Sequence, residues 1–206
     1  MDIHILLSFI GATALLSISP GPDNIFVLIQ SVTNGVKYGL ATVFGLISGC
    51  LVHTSLVAFG VSALIKENEQ VFLGLKFFGA AYLIYLAYKV VRSSAELSLS
   101  SEKKLKKNTV QLFKQGFIMN VLNPKVSIFF LAFFPAFLFS DSLSTISQFF
   151  ILGFVFMGVS LLIFSMIALL AGVISKSILQ YSRIGHFLKW LQIVVFIGIA
   201  VFILFS

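Results

Sequence analysis

Charge is scarce along these 206 residues: aspartate, glutamate, lysine and arginine together make up 10%, and only seven residues are acidic. Nothing resembles a paired-carboxylate hydrolase site, a nucleophile triad or a phosphate-binding glycine loop, so the chain is not read as an enzyme. Cysteine occurs once, at Cys50, which excludes an internal disulfide and a dithiol redox pair. The three histidines, His4, His53 and His186, are scattered without a carboxylate cluster, a poor basis for a metal site, and nothing in the pattern asks for a cofactor. The N-terminus, Met-Asp-Ile-His, lacks a basic n-region and a small-residue cleavage site, so the first apolar stretch is expected to be a retained helix rather than a signal peptide.

What fills the chain instead is apolar. Hydrophobic residues account for 59%, and the mean hydropathy is +1.07. A soluble domain of this size has no interior large enough to hide so much greasy surface. About 20 apolar residues cross a bilayer core as a helix, and six such stretches fit, roughly 3–33, 40–64, 71–91, 112–139, 146–174 and 187–205. Little is left over for a second domain. The expectation is an all-α membrane protein forming one transmembrane unit over 1–206, with halves of about 1–92 and 110–206 joined by the polar connector 93–109.

The +7 net charge does not point to nucleic acid once the basic residues are placed. The first, third and fifth connectors hold 11 of the 14, among them Lys37, Lys103, Lys104, Lys106, Lys107 and Arg183. The second offsets Lys66 and Lys76 with Glu67 and Glu69, and the fourth carries only Asp141. Lysine and arginine keep loops on the cytoplasmic side. Both termini are therefore expected outside, with the Lys-rich connector in the cytoplasm.

Two apolar stretches are interrupted. Ser19-Pro20-Gly21-Pro22-Asp23-Asn24 breaks the first and Asn123-Pro124-Lys125 the fourth, and Pro22 and Pro124 lie 102 residues apart, almost half the chain. Similar apolar runs follow, Ile25-Phe26-Val27-Leu28 and Ile128-Phe129-Phe130-Leu131. One proline reads as an ordinary kink. Two at matching positions, with three crossings per half, read as inverted repeats whose broken helices 1 and 4 meet at the midplane. Proline removes a backbone donor and clashes with the preceding turn, so Pro20-Gly21-Pro22 should stop one helix and let another start. Asn123-Pro124 has the form of an N-cap followed by a proline at the first helical position. A restarted helix aims free N–H groups and partial positive charge into the interior, an end suited to a carboxylate.

Asp23 and Lys125 each follow a motif proline and carry opposite charges. A lone charge at mid-bilayer costs at least a few kcal/mol, so they either pair with each other or each face a water-filled cavity. Together with two helix N-termini they match both ends of a zwitterion. Gly21, Pro22, Asp23, Asn24, Asn123, Pro124 and Lys125 are thus the candidate substrate-binding residues. Asp23 could also take up a proton, and His53, inside the second crossing beside Thr54, is either a hydrogen-bonded packing residue or a proton-relaying one. Gly35, Gly39, Gly45 and Gly49, as two pairs at four-residue spacing, permit close helix packing.

Ser19-Pro20-Gly21-Pro22-Asp23, then Gly35, Gly39, Gly45, Gly49 and His53, then Gly79-Ala80-Ala81-Tyr82-Leu83, and finally Asn123-Pro124-Lys125 with Phe129-Phe130 and Phe134-Pro135, resemble in order and spacing the LysE/RhtB family of amino-acid exporters. Ala87, where a glycine often follows, and Pro135-Ala136-Phe137, in place of Pro-Gln-Phe, depart from the commonest pattern away from the central motifs. The resemblance implies a secondary exporter of an amino acid from the bacterial cytoplasm across the inner membrane, in exchange for protons, with the two broken segments as its transport site. The partners expected are an amino acid, protons and the lipid bilayer; a homodimer is compatible with so small a bundle. A disulfide-relay carrier would need a second intramembrane cysteine, and a non-transporting assembly subunit has no use for paired broken helices. A cation or metal efflux protein on the same scaffold is the alternative.

Overall fold

A computed structural model describes residues 2–67, 69–93, 108–180 and 182–205. Most of the Lys-rich connector, including Lys103, Lys104, Lys106 and Lys107, lies outside the described residues, as do the side chains of Lys66, Glu67, Glu69, Lys176 and Arg183.

Every regular element among the described residues is a helix. Helices α1 (Ile3–Ile18) and α2 (Pro22–Asn34) meet at a 59° bend. Helix α3 (Val36–Leu56) runs on through a π turn, Val57–Val61, into α4 (Ser62–Glu67), and α5 (Glu69–Arg92) follows. The second half repeats the order. Helix α6 (Thr109–Val121) meets α7 (Pro124–Ile128), extended by a π turn and a 3-10 turn to Phe137, at a 48° bend. Then come α8 (Thr145–Leu169), α9 (Ala171–Gln180) and α10 (Ser182–Phe205). Four stretches, Val36–Leu64, Gln70–Arg92, Thr145–Leu169 and Gly185–Phe205, are each long and apolar enough to cross a membrane, and each bent pair makes a fifth and a sixth. At about 1.5 Å per residue α1 and α2 are about 24 Å and 20 Å long, so the break between them falls near the middle of the span.

Local chemistry sets the helix starts. The Asp2 side chain accepts from the His4 N–H, Asn108 and Gln111 form a reciprocal capping box, and the Ser144 hydroxyl accepts from the Ser147 N–H. Gln148 ties down the connector before α8, donating to the Ser140 and Leu143 carbonyls and accepting from the Phe139 and Ser140 N–H groups.

Helix α3 lies on α6 and α8 on α1, while α3 meets α8 and α5 meets α10. The α3–α6 crossing is backbone on backbone. A Cβ at Gly45 would strike the Phe113 carbonyl, and one at Gly116 the Thr42 carbonyl. Gly39 sits against Ser31 and Gly49 against Asn120, as close packing requires. Gly35 has another use: its φ of +104° forms the turn between α2 and α3, a conformation that favours glycine. The core between the halves is aromatic, with Phe9, Phe129, Phe134 and Phe137 in edge-on and tilted contact and Phe156 against Phe130. Tyr85 and Tyr88 face outward, beneath Lys89 and Arg92.

Candidate functional site

The two breaks meet, and the second completes the backbone of the first. A helix end leaves carbonyls without partners, and within a membrane span the protein itself must supply most of the donors. At the end of α1 the Ser17 carbonyl accepts from Asn24 Nδ2 at 2.7 Å. The Leu16 and Ser19 carbonyls both accept from Lys125 Nζ, at 3.0 Å each, across the fold from α7. Asn123 does cap α7, its Oδ1 accepting from the Lys125 N–H at 3.0 Å with Pro124 in the first turn. The same side chain reaches back to the first break, where Nδ2 donates to Asp23 Oδ2 at 2.7 Å.

Asp23 and Lys125 therefore do not pair in this conformation. Asp23 is 5% exposed, in the first turn of α2, where a carboxylate suits the positive end of the helix. Its Oδ1 is buried without a hydrogen-bond partner among the described residues. Lys125 is 9% exposed, and the Phe196 ring lies 5.6 Å from its ammonium. Between them is a cavity of about 20 Å³, lined by Gly21, Asp23, Asn24, Asn123 and Lys125 with Ser17, Cys50, Asn120 and Ser160. That is room for about one water, far below the ~300–1,000 Å³ of ordinary ligand pockets. A wider recess of about 300 Å³ shares Gly21, Asn123 and Lys125 with this cavity and is lined further by Pro22, Pro124, Gln192 and Phe196 and by Lys89 and Ser93 at the end of α5.

Every expected substrate-binding residue thus lines the small cavity or the recess. His53 does not line either. It is buried, with Nε2 donating to the Asn120 carbonyl at 3.1 Å and its ring beside Phe130, and Asn120 in turn lines the cavity. Asn120 is the residue that sequence reasoning missed: its amide lines the cavity and takes the Cys50 thiol at 3.7 Å. The available signal was an amide inside an apolar run, one helical turn before the Asn123 break. Ser17 and Ser160, hydroxyl to hydroxyl at 2.9 Å, were also missed; serines inside apolar helices carry no signal of their own. Among the described residues no three His, Cys, Asp or Glu side chains gather as metal ligands.

Fold and site together define a multi-pass membrane protein in which two broken spans enclose buried polar groups of opposite charge, an arrangement typical of carriers. The chain matches the LysE type translocator model over residues 14–206 and belongs to that family. It is 32% identical over 146 residues to the homoserine/homoserine lactone efflux protein of Salmonella typhimurium, covering 71% of this chain and 70% of that one. A protein of the same name from Salmonella typhi is 30% identical over 164 residues, 80% and 79% of the two chains. An uncharacterized membrane protein of Vibrio cholerae is 31% identical over 142 residues, 67% of each. No solved structure matches the chain.

Proposed function

We propose that the chain exports an amino acid or related small zwitterion across the bacterial cytoplasmic membrane by proton antiport, and that its transport site is the junction of the two breaks. The observation that carries this reading is the buried Asp23 carboxylate, whose Oδ1 has no hydrogen-bond partner among the described residues and which lines the same cavity as Lys125. Two opposite charges kept apart across one cavity are complementary to a molecule carrying both. Membership of a translocator family and the efflux named for the Salmonella proteins support the direction and the class of cargo.

In this reading the halves, about 1–92 and 110–206, work as inverted repeats, both termini lie outside, and the Lys-rich connector is cytoplasmic. The recess beside Lys89 and Ser93 then opens to the cytoplasm, and the small cavity is the closed position beyond it. Asp23 carries the proton, and His53, bonded to the cavity residue Asn120, takes part in the coupling. The test is efflux from cells or vesicles loaded with each amino acid of a panel, homoserine included. Asp23→Asn keeps an acceptor for Asn123 but removes the charge, so it should stay in the membrane and lose export. Undiminished export by that variant removes Asp23 from the mechanism.

A further inference from the structure

Lys125 does more than carry a charge near the cavity. Its ammonium is received by two carbonyls, Leu16 O and Ser19 O, at 3.0 Å each, with the Phe196 ring at 5.6 Å. Carbonyls at the broken end of a helix, where the partial charge is negative, are where carriers hold cations, and an aromatic face adds to the attraction for an ammonium. Here that place is taken by a side chain from the opposite half, on a flexible four-carbon stem, at the wall between recess and cavity. We propose that the carbonyl end of α1 is a binding site for primary ammonium groups, filled by Lys125 in the absence of cargo and taken over by the cargo's own ammonium during export.

The takeover clause rests on the exporter reading above; the filled site does not. A carboxylate arriving through the recess draws Lys125 toward itself and frees the two carbonyls. The incoming ammonium then replaces the departing one, so the buried acceptors keep their donors throughout. Asp23 Oδ1, on the same cavity, adds the countercharge.

The experiment is thermal unfolding of purified Lys125→Ala with methylammonium, and with tetramethylammonium, which has no N–H, as control. The expected result is a rise in Tm for methylammonium alone, on the order of 5 °C at about a hundred times the dissociation constant, absent from the wild type. An equal response to both cations, or an equal response by the wild type, overturns the proposal. Where Lys125→Ala does not survive purification, Lys125→Cys in a Cys50→Ala background is treated in membranes with 2-aminoethyl methanethiosulfonate, which rebuilds a tethered ammonium, or with neutral methyl methanethiosulfonate. Only the first should restore heat resistance on extraction, and equal restoration overturns the site. Neither arm uses an amino acid, so both stand or fall apart from the exporter reading. A methylammonium response that no amino acid of the panel competes away would leave the filled site and overturn its role in export.

Discussion

Asn123 is the point at which one side chain serves both breaks. Its Oδ1 caps α7 and its Nδ2 holds Asp23. Asn123→Ser keeps an oxygen able to cap but has nothing long enough to reach the carboxylate, whereas Asn123→Ala loses both. A cap is worth about 1 kcal/mol, and a buried hydrogen bond to a charged group about 1.5–3 kcal/mol. Asp23 is 5% exposed and already has one oxygen without a partner, so losing Asn123 strips the carboxylate of the only donor the described residues give it. The expected destabilisation is therefore about 2 kcal/mol for Asn123→Ser and about 3 kcal/mol for Asn123→Ala. Unfolding in detergent measures both, and a double-mutant cycle with Asp23→Ala isolates the shared bond, with an expected coupling of about 1.5–3 kcal/mol. A coupling near zero would refute the reasoning, because Asn123 would then be a local cap and nothing more.

The α3–α6 crossing gives a sharper steric test. Gly45→Val or Gly116→Val pushes a side chain into a backbone carbonyl that has no rotamer to yield, so each should cost at least about 2 kcal/mol and reduce folded protein on gel filtration. Gly158→Ala, in α8 with nothing within 4 Å of the added carbon, should be neutral or slightly stabilising. Lys189 donates to the Val91 and Ser93 carbonyls at 2.8 and 2.7 Å, capping α5 at the mouth of the recess. Lys189→Met should cost under about 1 kcal/mol, since the contact is exposed, and speed amide exchange in the last turn of α5. Unchanged exchange there would mean the cap does not hold that end.

Much of the fold was legible because its causes are local. A stretch of some 20 apolar residues needs no tertiary context to be read as a crossing, and Pro20-Gly21-Pro22 ends a helix whatever surrounds it. Both breaks fall where the prolines stand, and Asn123 caps as its side chain dictates. The glycine spacing was read correctly for Gly39, Gly45 and Gly49, but Gly35 at the same spacing forms a turn, because sequence distance does not report φ. The partners within the site were the illegible part. Opposite charges at equivalent positions leave an ion pair and separate cavity-facing groups both open, and the fold takes Lys125 to the carbonyls of Leu16 and Ser19. Every residue owns a carbonyl, and only the fold decides which ones a broken helix leaves free.

That choice of partners bears on how the site can move. The end of α1 is completed by Asn24 from its own half and Lys125 from the other, while Asp23 in the first half is held by Asn123, the cap of α7. Neither break can open alone without leaving acceptors bare in an apolar interior, at about 1–3 kcal/mol for each group. A rearrangement that shifts both breaks together, or a cargo that supplies an ammonium and a carboxylate at the moment they part, avoids that cost. On the proposed reading, the interlocked breaks favour a cavity that stays closed while empty and opens with a molecule of matching charge in it, the property a carrier needs if it is not to leak.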